Sequence, residues 1–145
     1  MALIFPSAVE EFIERARLAR LATIDSEFKP HLVPVVFVFD GKHFFIPIDE
    51  KRKKITKPAK LKRIKNIQHN PDVALLIDQY NEDWTKLAFV MIQGKALVAS
   101  KREENTLLRQ AYEKLMKKYV QYQKVGVGEM CIIITPMKVV SWSNS

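Results

Sequence analysis

The apolar residues of this chain fall into short runs that indicate β-strands and into longer stretches with the period of helices. The predicted strands lie at residues 20–24, 30–39, 42–49, 73–78, 86–98 and 130–142. The predicted helices lie at residues 7–19, 58–70 and 101–122. Most of the strands are joined by turns rather than by helices. This favours an antiparallel sheet closed into a barrel, with about three helices packed outside it.

Capping signals mark two of the predicted helices. Ser7 and Glu10 have the S-x-x-E spacing of a capping box, and Ser100 and Glu103 repeat that spacing. We therefore expect one helix to begin at residue 7 and the longest helix to begin at residue 101. Within the strand 86–98, Gly94 predicts a bulge or a bend.

The helix predicted at 58–70 begins at Pro58 and ends before Pro71, as proline placement favours. On a helical wheel its apolar face is formed by Leu61, Ile64 and Ile67. The basic residues of this helix take different positions around that face. Lys60 lies about 40° from its centre, Arg63 and Lys65 about 100° to either side, and Lys62 nearly opposite, facing solvent.

The segment 30–49 has the pattern of a β-hairpin. Asp40-Gly41 is a strong signal for a two-residue turn, and this turn would place Pro34 opposite Pro47. Both prolines lack an N–H group, and both missing donors would face away from the hairpin. They mark either edge positions or an opening in the sheet where a flat ligand could meet backbone groups.

Positive charge is concentrated between residues 51 and 71. This segment holds nine of the 24 Lys and Arg residues and no Asp or Glu, whereas the rest of the chain has 15 basic and 16 acidic residues. The net charge of +8 is therefore a local feature. Such a cluster either holds an anion or forms a solvated basic loop without a ligand.

The sequence offers no metal site or catalytic nucleophile. His31, His43 and His69 share no ligand spacing with one another or with Cys131. The four glycines form no phosphate-binding or nucleophile motif. If the protein is an enzyme, a cofactor carries the chemistry.

Length and composition predict one domain over residues 1–145. A single cysteine, Cys131, excludes an intrachain disulfide, and its apolar neighbours indicate a buried thiol. The N-terminal segment has no basic region of the signal-peptide type, and no apolar run approaches the roughly 20 residues of a membrane span. We expect a cytoplasmic protein.

Three motifs occur in the order and spacing of a known family. They are RLARLATIDSEFKPHLVPVVFVFDGKHFFIPID at 17–49, KLKRIKNIQHNPDVALLIDQYNEDW at 60–84 and FVMIQGKA at 89–96. Together they resemble the pyridoxamine 5′-phosphate oxidase-like, FMN-binding split-barrel family. The closest resemblance is to its small members that use the deazaflavin coenzyme F420. It implies a mainly β fold, here a six-stranded antiparallel split β-barrel, and a homodimer with cofactors at the subunit interface.

The resemblance also implies a cofactor site. The positions that match the family's phosphate-binding residues are Lys62, Arg63 and Lys65, with Arg63 the best fit, and the wheel adds Lys60. Trp84 matches an aromatic residue of the family's polar turn, where packing at the dimer interface is an equal explanation. The residues expected along the flavin ring are His31, Val33, Pro34, Val35, Ile46, Pro47 and Ile48.

The sequence thus predicts an oxidoreductase that binds FMN or coenzyme F420 and transfers hydride to a small substrate. Met91, Ile92 and Gln93 stand where the resemblance expects an Arg-Gln pair, which argues against oxidation of pyridoxamine phosphate. One alternative is a protein of this fold that holds a flavin or haem without turnover. Another is a nucleic-acid binder that uses residues 51–65, although this stretch has no aromatic residue for base stacking.

Overall fold

The computed structural model describes residues 3–49, 61–103 and 105–144. Seven strands and four α-helices lie in these residues, one strand and one helix more than the sequence predicted. In chain order they are α1 (Ser7–Arg15), β1 (Ala19–Ile24), β2 (Pro30–Val35), β3 (Val38–Phe39), β4 (Phe44–Pro47), α2 (Lys62–His69), β5 (Asp72–Gln79), β6 (Ala88–Ser100), α3 (Thr106–Lys118), α4 (Gln121–Val125) and β7 (Met130–Ser143). None of the helices in these residues is long and apolar enough to span a membrane.

The strands form one antiparallel sheet in the order β2-β1-β5-β6-β7-β4-β3. β2 and β3 are the two edges of this sheet, yet only Val36 and Phe37 separate them in sequence. The three Cα–Cα steps from β2 to β3 cover at most roughly 11 Å. The edges must therefore meet, and the sheet curls into the antiparallel split barrel that the sequence predicted.

The interior of the barrel is filled from alternate positions of its strands. Leu21, Leu75 and Ile92 are cross-strand partners on β1, β5 and β6, and all three are fully buried. Burying each such side chain contributes about 1.5–3 kcal/mol. α2 adds Ile64 and Ile67 to the same core. α3 covers a second apolar cluster on the other side of β3, β4, β6 and β7.

The register of the 30–49 segment differs from the prediction. β3 pairs with β4 through Val38 with Phe45 and Phe39 with Phe44, so the turn is centred on Gly41 and Lys42 rather than on Asp40 and Gly41. The Asp40 carboxylate causes this shift, because its Oδ1 accepts hydrogen bonds from the N–H groups of Lys42 and His43 at 2.8 and 2.6 Å. Asp40 acts as the residue before the turn rather than within it.

The two prolines are consequently not partners. Pro34 pairs with Arg20 on the edge strand β2, and Pro47 pairs with Cys131 of β7. The Ile48 N–H donates to Met130 of β7 at 3.0 Å. Because successive backbone N–H groups point to opposite sides of a strand, the nitrogen of Pro47 faces the other side, beyond the end of β3. In the described residues, both prolines thus occupy strand positions next to the split of the barrel.

The N-terminal helix begins and ends differently from the prediction. The N-cap of α1 is Pro6 and no side chain caps the helix, so Ser7 and Glu10 do not form the predicted capping box. The helix ends at Arg15 rather than at residue 19, because the chain must become extended before β1 begins at Ala19.

The longest helix also begins later than predicted, at Thr106. Its N-cap is Asn105, whose Oδ1 accepts hydrogen bonds from Leu107 and Leu108 at 2.9 and 3.3 Å. The predicted Ser100–Glu103 pair forms a turn before the helix, in which the Ser100 N–H donates to Glu103 Oε1 at 3.2 Å. The helix then breaks at residues 119–120, and α4 follows. For the helix predicted at 58–70, the predicted end is confirmed, because α2 ends at His69, directly before Asn70. Its predicted start at Pro58 lies outside the described residues.

The bulge predicted at Gly94 is confirmed, because the pairing of β6 with β7 shifts register between Gln93 and Gly94. A Cβ atom at this position would collide with the carbonyl oxygen of Thr135 and touch Ile134. Glycine is thus required where the backbones of two long strands approach closely.

Tyr119 and Lys118 make a set of polar contacts, here called the polar latch, that holds the short link between β2 and β3. The Tyr119 hydroxyl accepts a hydrogen bond from Phe37 N–H at 3.2 Å and lies 3.0 and 3.1 Å from the carbonyl oxygens of Arg17 and Phe37. Lys118 Nζ donates to the same Phe37 carbonyl at 3.1 Å and lies 3.9 Å from the centre of the Phe37 ring. The C-terminal end of α3 is thereby fixed to the point where the barrel closes.

Lys118 makes this latch sensitive to pH. The pKa of Lys118 is lowered to about 8, mainly by burial and also by the neighbouring Arg17 charge, while Glu14 acts in the opposite direction. An unfolded chain keeps this proton up to about pH 10, so between these values the unfolded state binds more protons. We expect the contribution of Lys118 to the free energy of unfolding to rise with pH in this window.

The measurement is urea unfolding of the natural protein and of Lys118→Met from about pH 7 to about pH 9.5. The stability of the natural protein relative to the variant should rise above pH 8. Burial raises the pKa values of Tyr122 and Cys131 to about 12 each, and their opposite effect is common to both proteins. A stability difference that stays level or falls with pH would contradict the expectation.

Candidate functional site

The candidate site is built around α2, which is buried on a wider face than the wheel predicted. Ile64, Asn66 and Ile67 are all buried, and they span an arc of about 160° around the helix. The centre of this arc lies about 20° from Arg63 and about 180° from Lys65. Arg63 therefore points toward the barrel, whereas Lys65 points to solvent.

A buried polar pair fixes α2 to the barrel. Asn66 Nδ2 donates to Thr23 Oγ1 at 2.9 Å, and both side chains are almost fully buried. Thr23 is the cross-strand partner of His31 on β2. The Nδ1 atom of His31 is buried and has no hydrogen-bond partner in the described structure. Buried polar atoms are normally satisfied, so this nitrogen is available to a ligand or a water molecule.

Arg63 lies one helical turn before Asn66 and is therefore next to this pair. Its Nε atom is buried and forms no hydrogen bond within the described residues. Burial lowers the pKa of the Arg63 guanidinium, and the negative charge of Asp49 acts against this shift. An arginine keeps its charge at neutral pH even so. The structure thus holds a half-buried cation with an unused donor.

The other predicted phosphate ligands lie differently. Lys62 is half-exposed, and its Nζ lies 3.4 Å from Asp25 Oδ2. A hydrogen bond from Lys29 N–H is the largest cause of a lowered pKa at Asp25, so this carboxylate stays charged. Lys65 is exposed, and Lys60 lies outside the described residues. Arg63 is the predicted phosphate ligand that the structure places beside buried polar groups.

The predicted ring-binding residues divide into two groups. On the edge strand β2, His31 and Val33 are partly exposed on the inner face, Val35 is buried and Pro34 points outward. On β4, Ile46 and Pro47 are buried, as is Ile48 directly after the strand, and both isoleucines belong to the core. A ligand in the split could therefore contact side chains of β2 but only the backbone of this part of β4.

Trp84 lies far from α2 within the same chain. It is 64% exposed on a short 3₁₀ turn, and its Nε1 donates to Tyr80 Oη at 3.3 Å. This turn follows the C-terminal end of β5, whereas α2 leads directly into the N-terminal end of β5. The two are separated by the length of that strand, roughly 23 Å. Trp84 cannot meet Arg63 unless it comes from a second chain.

Sequence reasoning missed Thr23 and Asn66. On the predicted wheel, Asn66 lies about 160° from the apolar centre, which indicates a solvated residue. The helix is instead buried on two sides, one facing the apolar core and the other facing β1. A polar residue in a short helix gives no separate signal for this, because the position of the neighbouring strand decides it.

The family comparison agrees with this architecture. A family model described as pyridoxamine 5′-phosphate oxidase matches residues 5–143, nearly the whole chain. The chain belongs to this family. No curated protein sequence matches it significantly. Family membership and the antiparallel split barrel together confirm the resemblance found in the sequence, whereas closeness to the members that use coenzyme F420 stays a prediction.

Solved structures share the family fold at low identity. HutZ, a haem storage protein from Vibrio cholerae, has a TM-score of 0.71 at 13% identity, covering 97% of this chain and 95% of its own. An FAD-binding protein from Mesorhizobium loti has a TM-score of 0.68 at 19% identity, covering 97% and 96%. The conserved hypothetical protein Rv2991 from Mycobacterium tuberculosis has a TM-score of 0.72 at 18% identity, covering 99% and 87%. At these identities, the similarity establishes the fold.

The buried Asn66–Thr23 pair generates a stability prediction. Asn66→Ala leaves the Thr23 hydroxyl buried without its partner, which should cost about 1–3 kcal/mol of unfolding free energy. Gln68→Ala is the matched control, because Gln68 is an exposed amide on the same helix. Urea unfolding measures both changes. Equal small losses in the two variants would show that the pair does not hold α2 in place.

Proposed function

We propose that this member of the pyridoxamine 5′-phosphate oxidase family is a homodimeric oxidoreductase that binds FMN or the deazaflavin coenzyme F420. The observation that carries the proposal is the half-buried guanidinium of Arg63, whose Nε has no partner in the described structure. A phosphate group satisfies such a donor with a charge-assisted hydrogen bond, and the planar guanidinium suits its oxygens.

The surroundings of Arg63 fit the rest of a flavin-type cofactor. The edge strand β2 is paired on one side only, so its other side can meet a planar ring with backbone groups. His31 adds a buried ring nitrogen without a partner on the same strand. When bound, the flavin supplies hydride transfer, while the protein residues bind the phosphate, orient the ring and limit access of water.

The comparisons favour the binding of a cofactor, but they do not favour one cofactor over another. The family includes oxidoreductases, and one structural neighbour is described as FAD-binding. The basic residues at 51–57, which lie outside the described residues, could accommodate the anionic tail of coenzyme F420. FMN has no such tail. The proposal therefore covers both cofactors and leaves the small substrate open.

The phosphate role of Arg63 gives a direct test. Arg63→Ala should weaken cofactor binding by about 10- to 150-fold, the range for losing a charge-assisted hydrogen bond of about 1.5–3 kcal/mol. Lys65→Ala should cost no more than this, because Lys65 points to solvent. Lys62→Ala is the control, because Lys62 already faces Asp25 and should have little effect. Titration calorimetry with FMN and with coenzyme F420 measures each affinity.

Two results would contradict this assignment. Unchanged affinity in Arg63→Ala for both cofactors would remove the phosphate site from α2. Equal, modest losses at Arg63, Lys62 and Lys53, accompanied by salt-dependent binding of an oligonucleotide, would support a diffuse nucleic-acid surface instead.

A second candidate function, haem binding, rests on His31 and on the resemblance to HutZ, a haem storage protein. A neutral imidazole nitrogen without a partner can ligate haem iron. If haem binds here, His31→Ala should abolish the shift of the Soret band that haemin shows with the natural protein. His69→Ala is the control, because His69 is exposed at the end of α2. Haemin spectra that are equal in both variants would exclude His31 as the ligand.

We also propose that the homodimer forms through the outer face of the sheet. One row of cross-strand partners runs across β1, β5, β6 and β7 on this face and consists of Arg20, Leu76, Met91 and Val140. Leu32, in the adjacent row, is 66% exposed, and Val140 is 37% exposed. Apart from Arg20, which forms an ion pair with Asp78, the row is apolar and partly exposed, and apolar surface of this kind is characteristic of protein interfaces. A two-fold dimer buries the same face of both chains.

Charge placed in this face should dissociate the dimer. Met91→Glu puts a carboxylate at the centre of the row, whereas Met116→Glu puts the same charge on the exposed face of α3. We expect light scattering at micromolar concentration to give a dimer for the natural protein and for Met116→Glu. Met91→Glu should give a monomer. A monomeric natural protein would contradict both the dimer and a cofactor site at its interface.

A further inference from the structure

Phe28, in the turn between β1 and β2, has a backbone conformation that is unusual for a bulky residue. Its φ is 63°, and in the described part of the chain no other residue except glycine has a positive φ. The Phe28 N–H donates to the Asp25 carbonyl at 3.0 Å, and the Asp25 N–H donates to the Lys29 carbonyl at 3.0 Å. Glycine ordinarily occupies the left-handed position of such a turn, because a Cβ atom is unfavourable there.

The side chain of Phe28 does not offset this backbone cost by packing. It is 82% exposed, more than any other aromatic side chain in the described residues. The turn is nevertheless well fixed, because Asp25 Oδ1 accepts hydrogen bonds from the N–H groups of Glu27 and Lys29 at 2.8 and 2.9 Å. The fold thus holds an aromatic ring in water in an unfavourable backbone conformation. Strain that packing does not explain indicates a binding role.

The turn that carries Phe28 lies against α2, beside the phosphate site proposed above. Lys62 Nζ is 3.4 Å from Asp25 Oδ2, and Asn66 Nδ2 is 2.9 Å from Thr23 Oγ1. Arg63 lies between these two contacts along the helix. Its position is therefore close to the end of the β1–β2 hairpin at which Phe28 is exposed.

The proposed flavin ring, the phosphate and Phe28 follow one another along this end of the molecule. β2 leads away from the turn, from Pro30 to Val35, and its free edge is where the ring is proposed to lie. Arg63 holds the phosphate near the start of β2, and Phe28 lies beyond that start. FMN ends at its phosphate and does not need Phe28. A cofactor that continues past the phosphate can place a flat group on the exposed ring, and nucleic bases stack well on aromatic side chains.

We propose that Phe28 is a stacking residue for an adenine ring beyond the phosphate, so that the site takes a flavin dinucleotide in preference to FMN. This inference rests on the phosphate role proposed for Arg63 and extends the flavin cofactor past that point. It also gives a reason for the exposed aromatic residue at a position that suits glycine.

FMN and FAD are the probes, because they carry the same flavin and differ in the AMP group beyond the phosphate. Titration calorimetry on the full chain should show FAD bound about 5- to 150-fold more tightly than FMN, the range for one stacked base. Phe28→Gly should remove this preference by weakening FAD binding, with FMN binding unchanged. Phe28→Tyr keeps a ring and should keep the preference. Ile4→Gly, which removes a 92% exposed side chain elsewhere, is the control and should keep it too.

Urea unfolding separates binding from folding. Glycine adopts a positive φ without steric cost, and the exposed Phe28 ring contributes little burial. Phe28→Gly should therefore unfold at the same urea concentration as the natural protein or at a higher one. A lower affinity for FAD without a loss of stability is the result expected of a binding residue and not of a structural one.

Three results would overturn this inference. The first is equal affinity for FMN and FAD in the natural protein. The second is an equal loss of both affinities in Phe28→Gly. The third is a change from dimer to monomer in Phe28→Gly, measured by light scattering, which would assign the ring to a contact between two chains.

Arg63→Ala distinguishes these failures from a failure of the proposed function. If Arg63→Ala weakens FMN binding while FMN and FAD bind equally well to the natural protein, the phosphate site stands and the stacking role of Phe28 is wrong. If neither flavin binds to the natural protein, both proposals are wrong.

Discussion

The closure of the sheet through Val36 and Phe37 is the constraint on which the rest of this structure depends. β2 and β3 are the outermost strands of the sheet, yet two residues join them. A flat sheet of seven strands would separate its edges by about 29 Å, six spacings of about 4.8 Å, which so short a link cannot cover. Curling brings the edges together, and because β3 is only two residues long, β2 and β4 remain unpaired with each other beyond it. The split, the exposed edge of β2 and the positions of both prolines follow from this geometry.

The polar residues at the end of the barrel follow from the same closure. α2 closes one end of the curled sheet, so its buried face must fit both the apolar interior and the polar end of β1. Asn66 meets Thr23 there, and Arg63 is carried toward the same place. Placing a cation beside a protein core costs solvation energy, which a bound anion or a nearby carboxylate can offset. Solved structures that share the fold at 13–19% identity include a haem storage protein and an FAD-binding protein.

The sequence predicted the parts of the fold that short-range patterns determine. Alternating and periodic apolar residues located most of the elements, Gly94 marked the bulge, and Asn70-Pro71 marked the end of α2. Hydrogen bonds from single side chains to nearby backbone N–H groups, which the apolar pattern does not show, moved two boundaries. The turn moved by one residue because the Asp40 carboxylate caps it, and α3 begins late because Asn105 rather than Ser100 caps it. For the site, the motif order identified the family and the segment that holds Arg63. The wheel misjudged Asn66, because a helix packed on two sides does not follow a single apolar stripe.

The latch at Tyr119 has a consequence for how the chain folds. Its hydroxyl bonds to Phe37, 82 residues earlier in the sequence, and β4 pairs with β7 from the far C-terminal end. Contacts between such distant segments slow folding, because a long loop must close before they form. During synthesis, β2 and the link after it would leave the ribosome well before either partner exists. The edges of the barrel would stay open, with their backbone groups unpaired, until the last quarter of the chain arrives to seal them.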